Sequence, residues 1–507
     1  MRKWLPLLAV CLGTLMLLVD VTIVNVALPA MAGDLRASFS SLQWVVDGYA
    51  LALAALLLGI GSLADRIGHR TSYVAGLVLF ALASLVCGLA PTAGALVVAR
   101  AVQGVGGAAM FATTFALLNS AYTGRDRGTA YGVWGAVAGA ASAIGPLAGG
   151  PLTQGLSWRW IFFVNLPVSI AAVVLTLLVV DGTHAPARQR FDLAGLVVFT
   201  GAAGLLTFGM IEANTSGWAD AASWGPSLGG LLLVLVFGVV ERRVANPLLD
   251  LTLLRHPTFS GVLLAGAVLS FSAFVSFTYT SIWLQSVLGL GPVEAGLVGL
   301  PMSAAAFAVS VVVGRMLAQW SPRWVIAAGL LVIGVGDLVG FVLVRGSAGA
   351  WALLPGFFVI GVGVGFATPS LSATGMAAVP ARRGGMAAGA VNTARQLGSA
   401  FGIALLGSVF TTGVRSSLAD SGRPDPEALA GVVASGRARE SLSAVPDASR
   451  GALRTALEAA AVHGVGRLFL VAGVVAVLAS FVVLVMIRPR STAPDTHVTQ
   501  SLDSSIR

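Results

Sequence analysis

This 507-residue chain has little charge: Asp, Glu, Lys and Arg make up 10% of it, against 57% hydrophobic residues. A soluble domain carries about 25% charged residues. A water-exposed fold of this length could not hide so much apolar surface, so lipid is the solvent that fits. Cysteine is also scarce. Cys11 and Cys87 both lie in apolar runs and read as small core residues, not as a disulfide or a metal pair. No His/Cys/Asp cluster has metal-ligand spacing, so no metal and no cofactor is expected. No glycine-rich phosphate loop is present, which argues against ATP as the direct energy source. The net charge is +9, yet the basic residues fall singly or in pairs between apolar runs. That pattern argues against a nucleic-acid partner, which would meet a basic patch or tail.

What is present is a series of long apolar runs. A membrane span needs about 20 mostly apolar residues. Runs bounded by charged or turn-rich breaks fall at 7–30, 43–63, 72–90, 94–118, 129–153, 160–180, 192–211, 225–240, 258–288, 295–317, 323–344, 350–377, 385–411 and 465–487. The expected fold class is an all-α polytopic membrane protein with about fourteen transmembrane helices. Arg2, Lys3 and Ala30-Met31-Ala32 imitate a signal peptide. Asp20 and Asn25 sit badly in such a segment, and the run is long enough to span.

Arginine orients the spans. With a cytoplasmic N-terminus, Arg66, Arg70, Arg125, Arg127, Arg242, Arg243, Arg315, Arg323, Arg382, Arg383 and Arg488 fall inside, among others. The short outside loops hold only Arg36, Arg159 and Arg345. Both termini are then cytoplasmic. A long outside loop covers 412–464, where Glu427–Val433 and Ala452–Val462 could form short surface helices. The tail 491–507 is polar and expected to be disordered. A faint repeat relates Gly61–Arg70, after the second span, to Gly314–Arg323, after the tenth. If spans seven and eight are an insertion, residues 1–190 form one six-helix bundle and 251–490 a second. Residues 191–250 are then two accessory helices outside the central cavity. Transporters are commonly built from such repeats.

Gly61-Ser-Leu-Ala-Asp65-Arg66-Ile-Gly68-His69-Arg70 resembles the signature loop of the major facilitator superfamily, with His69 in place of a basic residue. Leu18–Pro29, which carries Asp20 and Asn25, looks like the first-helix motif of drug:proton antiporters. Arg100–Gly107 looks like their fourth-helix motif, and Gly139–Gly150 like their fifth. Trp158–Pro167 and Asn392–Gly398 are similar to segments of the fourteen-helix branch, the EmrB/QacA type. The resemblance covers the whole chain except the long loop and tail. It implies the major facilitator fold, two six-helix bundles plus two extra helices, and a bacterial plasma membrane protein that acts as a monomer. It does not specify a substrate.

Candidate site residues follow from chemistry and resemblance together. An ionisable residue inside a span usually marks an ion or substrate path. Asp20 lies about 13 Å below the outer end of its helix and Arg100 about 9 Å below the end of its own. Facing each other they would stabilise both charges. Proton coupling through Asp20 and Arg100 is favoured over a static ion pair. Asp47 either assists that coupling or is interfacial. Gly61, Asp65, Arg66, Gly68 and Arg70, with Asp65 facing the positive end of a neighbouring helix, are candidates for gating. So are the packing residues Gly139, Gly145, Pro146, Gly149 and Gly150. Asn25, Gln103, Asn392, Arg395 and Gln396 are candidate cavity residues; for Asn392–Gln396 the alternative is inter-helix hydrogen bonding. Asp337 has no assigned role. The favoured function is export of a lipophilic drug or antibiotic in exchange for protons. The runner-up is export of an endogenous metabolite, amino acid or lipid precursor. A polytopic membrane enzyme is a remote third, because no acid/base or metal cluster lies at an interface.

Overall fold

The computed structural model describes residues 2–37, 39–182, 192–217, 220–245, 247–316, 319–346, 349–379, 384–434, 438, 442 and 445–488. The described residues are helical, with no strand among them. In lipid, a helix satisfies every backbone group within its own segment, which open strands cannot do. The long helices are α1 (Leu5–Leu35), α2 (Phe39–Ile67), α3 (His69–Gly88), α4 (Ala93–Ala121), α5 (Gly124–Gly155), α6 (Trp160–Val179), α7 (Leu193–Ser216), α8 (Ala221–Arg243), α9 (Pro257–Val287), α10 (Leu300–Met316), α11 (Pro322–Leu343), α12 (Leu354–Ala377), α13 (Gly384–Asp420) and α14 (Asp447–Met486). Eleven helices are long and apolar enough to cross a membrane, or twelve with α2, which bends by 56° between Trp44–Leu57 and Gly59–Ile67. The protein is therefore an all-α, multi-spanning membrane protein. The expectation of about fourteen spans includes α5 and the shorter α10, which are not among those twelve.

Local chemistry fixes many helix ends. Thr92 caps α4 by accepting from Ala95 N–H at 3.2 Å, and Asp220 caps α8 by accepting from Ala222 N–H at 2.8 Å. Arginine closes C-termini, where free carbonyls and the helix dipole favour a cation. Arg127 donates to Tyr122 O and Asn119 O after α4, and Arg70 to Leu177 O at the end of α6 (2.6 Å). The described residues of the stretch 412–464 are largely helical. α13 continues to Asp420, a separate helix covers Pro426–Ala434, and the stretch 452–462 is continuous with α14.

Helices α1–α6 pack on one another, as do α9–α14. These groups meet chiefly where α5 lies on α10 and α2 lies on α13, with smaller contacts of α4 on α13 and of α5 on α12 and on the short helix Pro292–Val298. A methyl group built on Gly314 of α10 would lie 2.6 Å from Gly132 Cα of α5, so the backbones touch. One apolar core runs through this seam, with Leu53 and Tyr73 on one side and Met376, Met386 and Ala387 on the other. α7 packs along α2, with Trp44 and Phe208 stacked at 5.6 Å, and also touches α13. α8 packs on α7 and turns Leu228, Leu231, Leu232 and Leu235 outward.

Candidate functional site

A buried polar network lies among α1, α2, α3, α4 and α6. Asp20 on α1 and Arg100 on α4 are both buried, and the guanidinium Nη1 donates to Asp20 Oδ2 in an ion pair. Gln103, one turn along α4 from Arg100, donates from Nε2 to Asp20 Oδ1 at 3.0 Å and to Ser84 Oγ at 2.8 Å. Asn165 on α6 donates from Nδ2 to the same Asp20 oxygen at 2.9 Å and lies 3.3 Å from Ser84 Oγ. The Asp20 carboxylate thus accepts from three side chains. Arg100 also donates to Gln103 Oε1 (2.6 Å) and to Val45 O (3.1 Å), and its Cζ sits 4.3 Å from the Tyr49 ring centroid. Hydrogen bonds to a charged group contribute about 1.5–3 kcal/mol each. Removing one partner of a buried pair costs about 3–5 kcal/mol. Chemically, the site holds a buried carboxylate and guanidinium that satisfy each other's charge.

Sequence spacing brought Asp20, Arg100 and Gln103 into view. It did not single out Asn165, Ser84 or Tyr49. Asn165 had a signal, as a polar residue inside the Trp158–Pro167 run. Ser84 and Tyr49 had none, because a serine or tyrosine in a span is ordinary. Asn25, Asp47, Gly139 and Pro146 lie on helices, but their side chains are outside the described residues.

The loop residues gather at the seam. Asp65 Oδ2 accepts from the Met386 N–H at 3.0 Å, in the first turn of α13, where free N–H groups favour a carboxylate. His69 Nε2 lies 3.4 Å from Asp65 Oδ1. Arg66 is half-buried beside Asp65, and Gly61 is buried. Gly68 has φ 95°, a left-handed value that favours glycine, and it turns the chain from α2 into α3. Gly145, Gly149 and Gly150 are buried on α5, and a methyl on Gly145 would lie 3.0 Å from Ile23 N of α1. At the opposite end, Asp34 accepts from Arg159 and from Trp158 Nε1 (3.0 Å). The Arg159 hydrogen bond, then that of Trp158, holds the Asp34 carboxyl below its ordinary range.

The α13 residues stand apart from this network. Asn392 is fully buried with neither amide atom partnered among the described residues. Arg395 and Gln396 are half-buried, and Arg395 Cγ would meet a methyl on Gly266 of α9 at 3.2 Å. No bond joins them to Asp20 or Arg100 among the described residues. Asp337 on α11 is also fully buried.

Comparison with known proteins places this arrangement in context. The family model described as Major Facilitator Superfamily matches residues 10–403. The chain is 36% identical over 431 residues to the "Multidrug resistance protein Stp" of Mycobacterium tuberculosis, covering 83% of this chain and 79% of that one. It is 32% identical over 492 residues to the "Tetracenomycin C resistance and export protein" of Streptomyces glaucescens, covering 95% and 91%. Among solved structures, the human organic anion transporter MFSD10 aligns with TM-score 0.60 at 13% identity, over 95% of this chain and 99% of that one. That likeness is one of fold alone.

Proposed function

This chain belongs to the Major Facilitator Superfamily, whose members are transporters rather than enzymes, and we propose that it is a proton-coupled antiporter exporting lipophilic drugs or antibiotics. The observation that carries the proposal is the sealed Asp20–Arg100 pair, held by Gln103 and Asn165 inside the apolar helices. Ionisable residues inside membrane helices are costly and usually mark substrate or ion paths. Two relatives, named for multidrug resistance and for tetracenomycin C resistance and export, support a drug or antibiotic as cargo. Few acids are embedded, which favours neutral, zwitterionic or singly charged amphiphiles over dications.

The proposal makes α5 and α10 crossings as well, giving fourteen, and puts the chain in the fourteen-helix branch. Helices α1–α6 and α9–α14 act as two bundles that rock against each other around a central site, with α7 and α8 accessory. Both termini and the arginine-rich end face the cytoplasm. The α5–α10 and α2–α13 contacts then seal the cytoplasmic side, so the structure corresponds to a state closed there. Asp65 on the α13 N-terminus, with Gly61, Arg66, Gly68, Arg70 and the α5 glycines, forms the gate. Asn392, Arg395 and Gln396 line the substrate path with Gln103 and Asn25. In the cycle, substrate leaves to the outside while the seam is closed, a proton from that side then reaches Asp20 and releases Arg100, and the seam opens so that the proton is lost to the cytoplasm as new substrate binds. The experiment is reconstitution into liposomes with an imposed pH gradient, scanning a panel of amphiphiles. Uphill movement of at least one, abolished when the gradient is collapsed, is the expected result. Movement that ignores the gradient would remove proton coupling.

A further inference from the structure

Asp337 is a buried acid outside the Asp20 network. It lies on α11, about 9 Å along the helix from Leu343. Neither of its carboxylate oxygens has a hydrogen-bond partner among the described residues. Glycines on either side pull the neighbouring helices close. A methyl on Gly336 would lie 2.6 Å from Ile360 N of α12, and one on Gly334 would lie 2.8 Å from Gly473 O of α14. Between those two faces, Asp337 points towards α9, where the Ser276 hydroxyl is the polar group that faces it. Among the described residues, no titratable or charged side chain faces it from α9, α12 or α14.

The opposing stretch of α9 is irregular. Val275–Ile282 is bounded by two π-turns, Ser270–Phe274 and Trp283–Val287. Such turns shift helix register and are frequent at functional sites. Ser276 Oγ and Trp283 Nε1 are buried and unpartnered as well. Another face of α9 meets α13: Gly266 packs on Arg395, and Tyr279 OH donates to Ile403 O at 2.8 Å. One helix therefore separates Asp337 from the polar stripe of α13.

We propose that Asp337 is a second proton-binding site, carried by the C-terminal half and read out by α9. This rests on the proton-coupled reading above. As an ion, Asp337 would need a cation or several donors beside it, and the packed state offers only the Ser276 hydroxyl. As a carboxylic acid it fits that state. When the O–H proton leaves for water on the side to which the site opens, the carboxylate needs donors. Ser276 already faces it, whereas Trp283 Nε1, the other unpartnered donor of α9, lies in the second π-turn, and bringing it towards the carboxylate requires that turn to rearrange. That movement is passed to α13 through the Arg395 and Ile403 contacts. Loading of Asp337 and the position of the α13 stripe are thereby linked.

Infrared difference spectroscopy on the full-length protein in liposomes tests this without needing transport. In a Glu241→Gln background, which removes another buried carboxyl able to hold a proton, a protonated-carboxyl band should be present with and without Asp20→Asn, be lost in Asp337→Asn, and weaken when an exported amphiphile is added. Uphill export by Asp337→Asn should persist with one proton fewer per substrate, measured from the gradient that just halts net flux. Asp337→Glu should restore the wild-type ratio. If Asp337→Asn does not fold, the Asp337→Glu band takes its place, and it must shift with the longer side chain and weaken with substrate. A band indifferent to substrate, or an unchanged proton ratio in Asp337→Asn, would overturn the proposal. Failure of proton coupling as a whole would appear separately, as gradient-independent flux in the wild type.

Discussion

Gly314→Ala probes the seam that closes the arginine-rich end. The added methyl would stand 2.6 Å from Gly132 Cα and 2.9 Å from Gly132 N. Ordinary contact needs roughly 0.8 Å more, and both partners are backbone, so no side chain can swing aside. Overpacking of this kind costs about 1–3 kcal/mol. Replacing glycine in a helix also gains about 0.5–1 kcal/mol, but that gain applies whether the seam is closed or open and cancels. The penalty falls only on the closed state, so the equilibrium should move away from it by about 5- to 150-fold. Spin labels at Arg125→Cys on α5 and Arg315→Cys on α10, read by pulsed EPR in liposomes, would report the change as a longer-distance population. Cys11 and Cys87 are buried and would compete little for label. A distance distribution identical to that of the unsubstituted pair, in a protein of normal thermal stability, would refute the argument from backbone contact.

Asn165→Ala should lower thermal stability in detergent by about 1.5–3 kcal/mol, the scale of a hydrogen bond to a charged group. In Asp20→Asn the same change should cost measurably less, and simple additivity in that cycle would show that the Asn165–Asp20 contact carries nothing. Single cysteines at Arg66, Arg125 and Arg488, on a cysteine-free background, should resist an impermeant thiol reagent in intact cells, while one at Arg345 reacts; strong labelling at Arg125 would reverse the orientation. The Asp34–Arg159 tie has a pH sign. A depressed folded-state pKa means its contribution is present above the ordinary carboxylate range and lost as pH falls through the lowered value. Arg159→Ala should therefore weaken the protein at neutral pH but not in strong acid, and an equal deficit at both would contradict the assignment.

The fold was legible because lipid leaves helices as the solution for apolar runs of this length, and most run boundaries match helix ends. Two places show where that legibility stops. α14 begins at Asp447, well before the apolar run at 465, because Ala452–Val462 has a helical pattern that continues into the membrane segment. α5 and α10 are glycine-rich or short, so their place rests on packing against each other rather than on hydropathy. At the site, matched depths on α1 and α4 already put Asp20 opposite Arg100 in the sequence. Asn165 joins them from α6, at a distance of 145 positions in sequence from Asp20. Helical periodicity describes faces within one helix and carries no information about which other helix completes a hydrogen bond. The same limit applies to Asp337, whose isolation is a property of α9, α12 and α14 together.

The most direct test of proton-coupled export is uphill efflux in liposomes under an imposed pH gradient, comparing the wild type with Asp20→Asn. The substitution keeps size and hydrogen bonding and removes the titratable group. The account predicts that Asp20→Asn inserts normally, still binds amphiphile, and loses gradient-driven accumulation, while Asp20→Glu retains part of it. Wild-type proton-driven accumulation by Asp20→Asn would contradict it.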